Sequence, residues 1–178
     1  MAKYTFKSDL SVRGLKKLKT ELLNYKSEFN RKVELFVKKL LEVGIDTAQF
    51  HIDESPLGKY VTLSTEISSS DVGCKGILLA KGEIKENEGY APFYIILAIE
   101  FGAGIYYNKI PHPSSNELGF GVGTFPNQIH AFEDMWFYWD EDEQKWKPTH
   151  GVKATMPMYN SSLAIKDSVI RVAKEVFN

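Results

Sequence analysis

The chain has 178 residues, 43% hydrophobic and 25% charged, which fits one globular domain and leaves little room for two. Its formal charge of −1 conceals an asymmetry: residues 1–44 carry 11 Lys/Arg against 5 Asp/Glu, and the remainder 11 against 18. Cys74 is the only cysteine, which excludes an intrachain disulfide, and the longest apolar run, 93–99, is far short of the ~18 residues of a membrane span.

Oppositely charged regions suit head-to-tail self-association, although a solvated basic helix beside an acidic loop accounts for them equally well. The amino terminus lacks the apolar core of a signal peptide, so the expected location is the cytoplasm or a particle assembled there.

Leu15, Leu18, Leu22, Tyr25, Phe29, Val33, Phe36, Leu40 and Val43 recur in steps of three and four, which predicts an amphipathic helix from about residue 10 to about residue 50. Ser8 or Asp9 is the expected cap, and Gly44 permits continuation with a bend. The stripe is regular enough for a coiled-coil seam, but a helix lying across a sheet is the commoner use of such a pattern. Residues 51–58 then read as a loop. Tyr60, Val61, Leu63, Thr65 and Ile67 predict one strand and 74–84 a second, with a hairpin between them. Residues 91–101 suit a short helix with Pro92 in its first turn and Gly102 and Gly104 at its end.

Between 104 and 134 no periodic segment is expected, because Pro111, Pro113, Pro126 and the glycines at 119, 121 and 123 break any pattern. Tyr106, Tyr107, Phe120, Phe125 and Phe132 would be costly to leave in water, so this span is expected to order on assembly. Residues 135–139 and 145–147 flank the acidic turn 140–144 and predict an aromatic hairpin in which Trp139 and Trp146 pair. Thr155 is a cap candidate for a last helix beginning near Pro157, with Met158, Ser162, Leu163, Val169, Val172, Ala173 and Val176 on its apolar side. The expected fold is a single α+β domain, 1–178: an antiparallel sheet packed by a long amino-terminal helix (1–50) and a carboxy-terminal helix. Within it, 59–103 hold the first hairpin and short helix, 104–134 the long loop, and 135–178 the aromatic hairpin and last helix.

Chemistry finds little purchase in this pattern. His51, His112, His130 and His150 show no metal-ligand spacing, Cys74 lies in a strand without an electropositive setting, and 119–123 lack the Lys-Ser/Thr and following helix of a phosphate loop. No catalytic, metal or cofactor site is therefore expected, and a small metal-dependent hydrolase is the least favoured reading. An aromatic-faced carbohydrate or ligand module using Trp136, Trp139 and Trp146 is the alternative.

Three patches stand out: Glu100-Phe101-Gly102-Ala103-Gly104, Gly121-Val122-Gly123-Thr124-Phe125-Pro126, and His150-Gly151 leading through Ala154 to Pro157-Met158. Their order and wording resemble the head–tail joining (tail-completion, or neck) family of tailed phages and prophages. Ala103 stands where that family more usually has Thr, and the resemblance covers the second half of the chain. It implies a structural virion protein, not an enzyme, that forms a ring, sixfold like the tail tube, between the capsid connector and tail-tube or tail-terminator proteins. In such a ring the basic helix could face the DNA channel through non-specific phosphate attraction. The candidate interface residues are Phe101, Gly102, Gly104, Tyr106, Tyr107, Phe120, Gly121, Gly123, Phe125, Pro126, Trp136, Trp139, Trp146, His150 and Gly151.

Overall fold

A computed structural model describes residues 4–9, 11–86, 92–104, 112–120, 128, 130, 133–140 and 142–178. Helix α1 spans Val12–Asp53, three residues further than its stripe suggested. Its cap is Ser11, not Ser8 or Asp9: the Ser11 hydroxyl accepts from the Gly14 N–H at 3.0 Å. Asp9 acts one step earlier, accepting from the Ser11 N–H at 3.0 Å, and its bonds to the Ser11 hydroxyl and N–H hold its carboxyl below the ordinary range.

Strands β1 (Val61–Ser70) and β2 (Gly73–Gly82) form the expected hairpin, in register from Val61↔Gly82 to Ser70↔Gly73 around an Asp71–Val72 turn. Two short strands, β3 (Ile84–Lys85) and β4 (Phe93–Tyr94), pair next, and helix α2 (Ile95–Phe101) follows at once. Pro92 therefore stands ahead of a strand instead of in the helix's first turn, because pairing with β3 takes up Phe93 and Tyr94. Strands β5 (Trp136–Asp140) and β6 (Lys145–Thr149) form the aromatic hairpin, and helix α3 (Pro157–Phe177) closes the order. The class is α+β as expected. Among the described residues its sheet consists of three separate two-stranded ribbons.

The core lies where α1, α2 and α3 meet, at Leu41, Ala48, Ile52, Ile95, Ala98, Ile99, Val172 and Val176. As expected, α1 continues through Gly44 without interruption. Gly44 is buried, a Cβ there would lie 2.7 Å from Ile165 Cδ1, and its carbonyl accepts from the Ser161 hydroxyl at 2.9 Å, so two small residues let α1 and α3 approach closely. Gly76 does the same for the hairpin, where a Cβ would meet Val37 Cγ1 at 2.6 Å. The packed side of α3 is Pro157, Ser161, Val172 and Val176; Ser162, Leu163 and Val169, expected inside, are exposed. Tight contact at Gly44–Ser161 rotates α3 onto that side.

Residues 112–120, inside the span expected to order on assembly, are already folded as turns against α2. His112 and Ser115 are buried there.

Candidate functional site

Helix α3 begins without a local cap. Met156 takes a left-handed conformation (φ 53°) and its side chain caps nothing, and Thr155, the expected cap, instead donates its N–H to the Ile99 carbonyl at 3.0 Å. Pro157 has no N–H, so the first free donors are those of Met158 and Tyr159. Glu100 supplies both partners: Oε2 accepts from the Met158 N–H and Oε1 from the Tyr159 N–H, each at 2.9 Å. A carboxylate 58 residues away in sequence thus caps the helix, where the positive end of its dipole stabilises the charge.

Glu100 is buried and needs a further partner. His112 Nε2 lies 3.0 Å from Glu100 Oε1, and the Ser114 N–H donates to His112 Nδ1 at 3.1 Å. An acceptor role for Nδ1 assigns the ring proton to Nε2, so the Nε2–H donates to the Glu100 carboxylate. The ring lies 4.6 Å from Phe101 and 5.2 Å from Tyr159, and Phe120 meets Phe101 edge-on at 5.0 Å. His112, considered above as a dispersed metal ligand, is engaged in folding.

The glycine patches cross beside this cap. Ala103 and Val152 exchange two N–H···O bonds of 2.8 Å, an isolated antiparallel bridge. Gly151 (φ +111°) lies against that bridge, and any Cβ there would collide with the Ala103 carbonyl. Gly104 (φ +80°) lies against the His150 carbonyl and the Trp136 ring and tolerates no side chain either. Trp136 stacks face to face on His130 at 4.6 Å and 9°. His150 Nδ1 donates to the Asp134 carbonyl at 2.7 Å, which ties the last patch to the start of β5.

The β5–β6 hairpin anchored here has two unlike faces. Its register puts Trp136, Tyr138, Asp140, Lys145, Lys147 and Thr149 on one side and Phe137, Trp139, Trp146 and Pro148 on the other. On the first, Lys147 pairs with Asp140 at 2.7 Å and with Glu143 at 2.6 Å, Lys145 pairs with Glu143, and Lys59 reaches Asp142 at 3.1 Å. Those lysines hold the Asp140 and Glu143 carboxyls below the ordinary range, while the same hydrogen bonds raise the ammonium of Lys147. The second face is bare: Phe137, Trp139 and Trp146 are 57%, 45% and 65% exposed. Trp139 and Trp146 form the expected cross-strand pair, centroids 5.7 Å apart and planes at 71°.

The expected interface residues therefore divide. Phe101, Gly102, Gly104, Phe120, Trp136, His150 and Gly151 build the junction; Trp139 and Trp146 project from it. Tyr106, Tyr107, Gly121, Gly123, Phe125 and Pro126 lie outside the described residues. Glu100 was not foreseen as a cap, and Phe137 and Pro148 were not foreseen as part of the exposed face. The available signals were an acid closing an apolar run and a Pro-initiated helix without a Ser, Thr or Asp at the preceding residue. Among the described residues no three of His, Cys, Asp and Glu come together to hold a metal. No helix is long and apolar enough to cross a membrane among the described residues. No family model matches the chain, and no curated protein or solved structure matches it.

Proposed function

We propose that the chain is a structural assembly protein, a head–tail joining or tail-completion component that forms a ring at the neck or tail end of a phage or phage-tail-like particle. The observation that carries this reading is the bare Phe137–Trp139–Trp146–Pro148 face, held out on a hairpin whose opposite side carries the ion pairs and an exposed Tyr138. A contiguous exposed aromatic patch on a rigid support fits the hot spot of a protein–protein interface. Further support comes from the resemblance, since 100–104 and 150–158, two of the stretches that carry it, meet in one glycine-lined crossing. In this reading the chain is not an enzyme and needs no cofactor. Its partners are copies of itself, in a sixfold ring as the resemblance implies, together with capsid connector and tail-tube or tail-terminator proteins. The excess Lys and Arg of α1 favours non-specific DNA contact in the channel, and the site of action is the virion neck, assembled in the bacterial cytoplasm.

A carbohydrate-binding face is the second reading, favoured by the same exposed tryptophans. Their planes stand at 71°, however, which offers a sugar no continuous flat platform.

The test is the solution mass by light scattering at low and high salt, alone and with tail-tube protein, with metal content read from the same sample. A ring mass in either mixture, lost in Trp146→Ala, is the expected result. A strict monomer in both, or one carrying stoichiometric zinc, overturns the reading. Deleting the whole of 104–134 is a poorer test, because it takes His112 and Phe120 out of the packed junction.

A further inference from the structure

We propose that the amino-terminal half of α1 pairs in parallel, in register, with the same segment of a second copy of this chain. Phe29 and Phe36 meet Phe177, the end of α3, at 5.9 and 5.8 Å, so α1 runs on from Phe29 to Val12 without α3 beside it. That projection is roughly 26 Å at 1.5 Å per residue. The stripe nevertheless continues along it: Leu15, Leu18, Leu22, Tyr25 and Phe29 keep strict three–four spacing, and Leu15 and Leu22 are 47% and 46% exposed. Tyr4 and Phe6 lean on Tyr25, at 4.8 and 5.7 Å; Leu18 is half-buried, and Leu15 and Leu22 stay bare.

Charge decides the occupant and its direction. With Leu15 and Leu22 as the a positions of a heptad, Lys19 and Lys26 fall at e and Glu21 and Glu28 at g. Parallel strands set each g beside the e five residues on in the partner, which places Glu21 opposite Lys26 of the second copy twice per pair. Antiparallel strands set g beside g and e beside e, matching Glu with Glu and Lys with Lys. Only the parallel arrangement is complementary. The internal contacts of these residues, Lys26 to Asp71 at 3.5 Å and Glu21 to Lys17 at 3.8 Å, are exposed surface pairs and yield to a partner readily. Two heptads alone would not hold a helix together in water, but here the helix is already fixed by its packed second half, so no nucleation cost falls on association.

This inference stands on α1 and not on the phage reading: a ring without the seam, or the seam without a ring, separates the two. The experiment uses the full chain in sedimentation equilibrium, with helical content checked for each variant. A dimer step at roughly tens of micromolar is expected from a seam this short. Glu21→Lys and Lys26→Glu should each weaken it about tenfold, and the double variant should restore it. In a Cys74→Ser background, Leu15→Cys should cross-link to itself on mild oxidation, whatever larger assembly forms. Tightening by Glu21→Lys, cross-linking of Leu15→Cys only to Phe29→Cys, or failure of Leu15→Cys to cross-link at all would overturn the proposal.

Discussion

Two parts of the molecule treat their polar and apolar groups in opposite ways. Where α2 meets α3, the Glu100 carboxylate, the first-turn N–H groups of α3 and both ring nitrogens of His112 have partners inside the chain. On the outer face of the β5–β6 hairpin and along the first turns of α1, large apolar side chains stand in solvent. The first region finds these partners within a single chain, although the buried Thr155 hydroxyl beside it has none among the described residues. The second is paired only if something else arrives, and that difference separates residues that build the protein from residues that act for it.

The sharpest way to break the comparison is to remove the cap. Glu100→Ala strips the acceptor from two helix N–H groups and from His112 in one step, and should cost about 4 kcal/mol, lowering the melting temperature by roughly 10 °C. Glu100→Gln, which keeps one acceptor but turns an amide towards a donor, should fall about midway. Calorimetry decides: equal melting of Glu100→Ala and the parent would mean that the cap contributes nothing. Next comes Gly151→Ala. Its φ of +111° disfavours any side chain and its Cβ would collide with the Ala103 carbonyl, so the Ala103–Val152 bridge should open at a cost of about 3 kcal/mol. Loss of amide-exchange protection confined to Ala103 and Val152 would mark the damage as local.

Legibility followed the same division. The α1 stripe, the first hairpin and the Trp139–Trp146 pair could be read because each depends on neighbours a few residues apart, where helical and strand periodicities apply. Glu100 was opaque because its partners lie 58 and 59 residues ahead, and no local rule distinguishes a capping acid from a solvated one. The role of Gly44 was hidden for a related reason. Within α1 the glycine reads as a weak point, and only Ser161, 117 residues on, reveals it as the place where two helices touch. The exposed face lay between these extremes: alternation sorts Phe137 and Trp139 from Trp136 and Tyr138, but which side the chain covers is set by the crossing at Gly104 and Gly151.

The converse experiment sharpens the other half of the comparison. Replacing Trp139 and Trp146 together by Ala removes one cross-strand ring pair, so stability should fall by only about 1 kcal/mol, while self-association or tail-tube binding is lost. A variant that assembled normally would remove this face from the interface. A variant that failed to fold would instead assign both rings to the core, against their exposure.

The smallest expected effect concerns the salted side of the same hairpin. Asp140 and Glu143 are held below the ordinary carboxylate range by Lys147 and Lys145, so their contribution is full above that range and disappears as pH falls through their lowered values. Lys147 is shifted upwards by the same partners, so its share persists through neutral pH and is lost only above the usual lysine range. Between those limits the Trp139–Trp146 geometry should be constant. In acid the turn should loosen, and the near-ultraviolet dichroism of the ring pair should fade before the helices melt. These groups are exposed, so salt should weaken the transition, and Lys147→Met should move its onset to higher pH. If the ring signal in Lys147→Met followed the parent at every pH, the ion pairs would have no hold on the hairpin, and its bare face would owe its position to the glycine crossing alone.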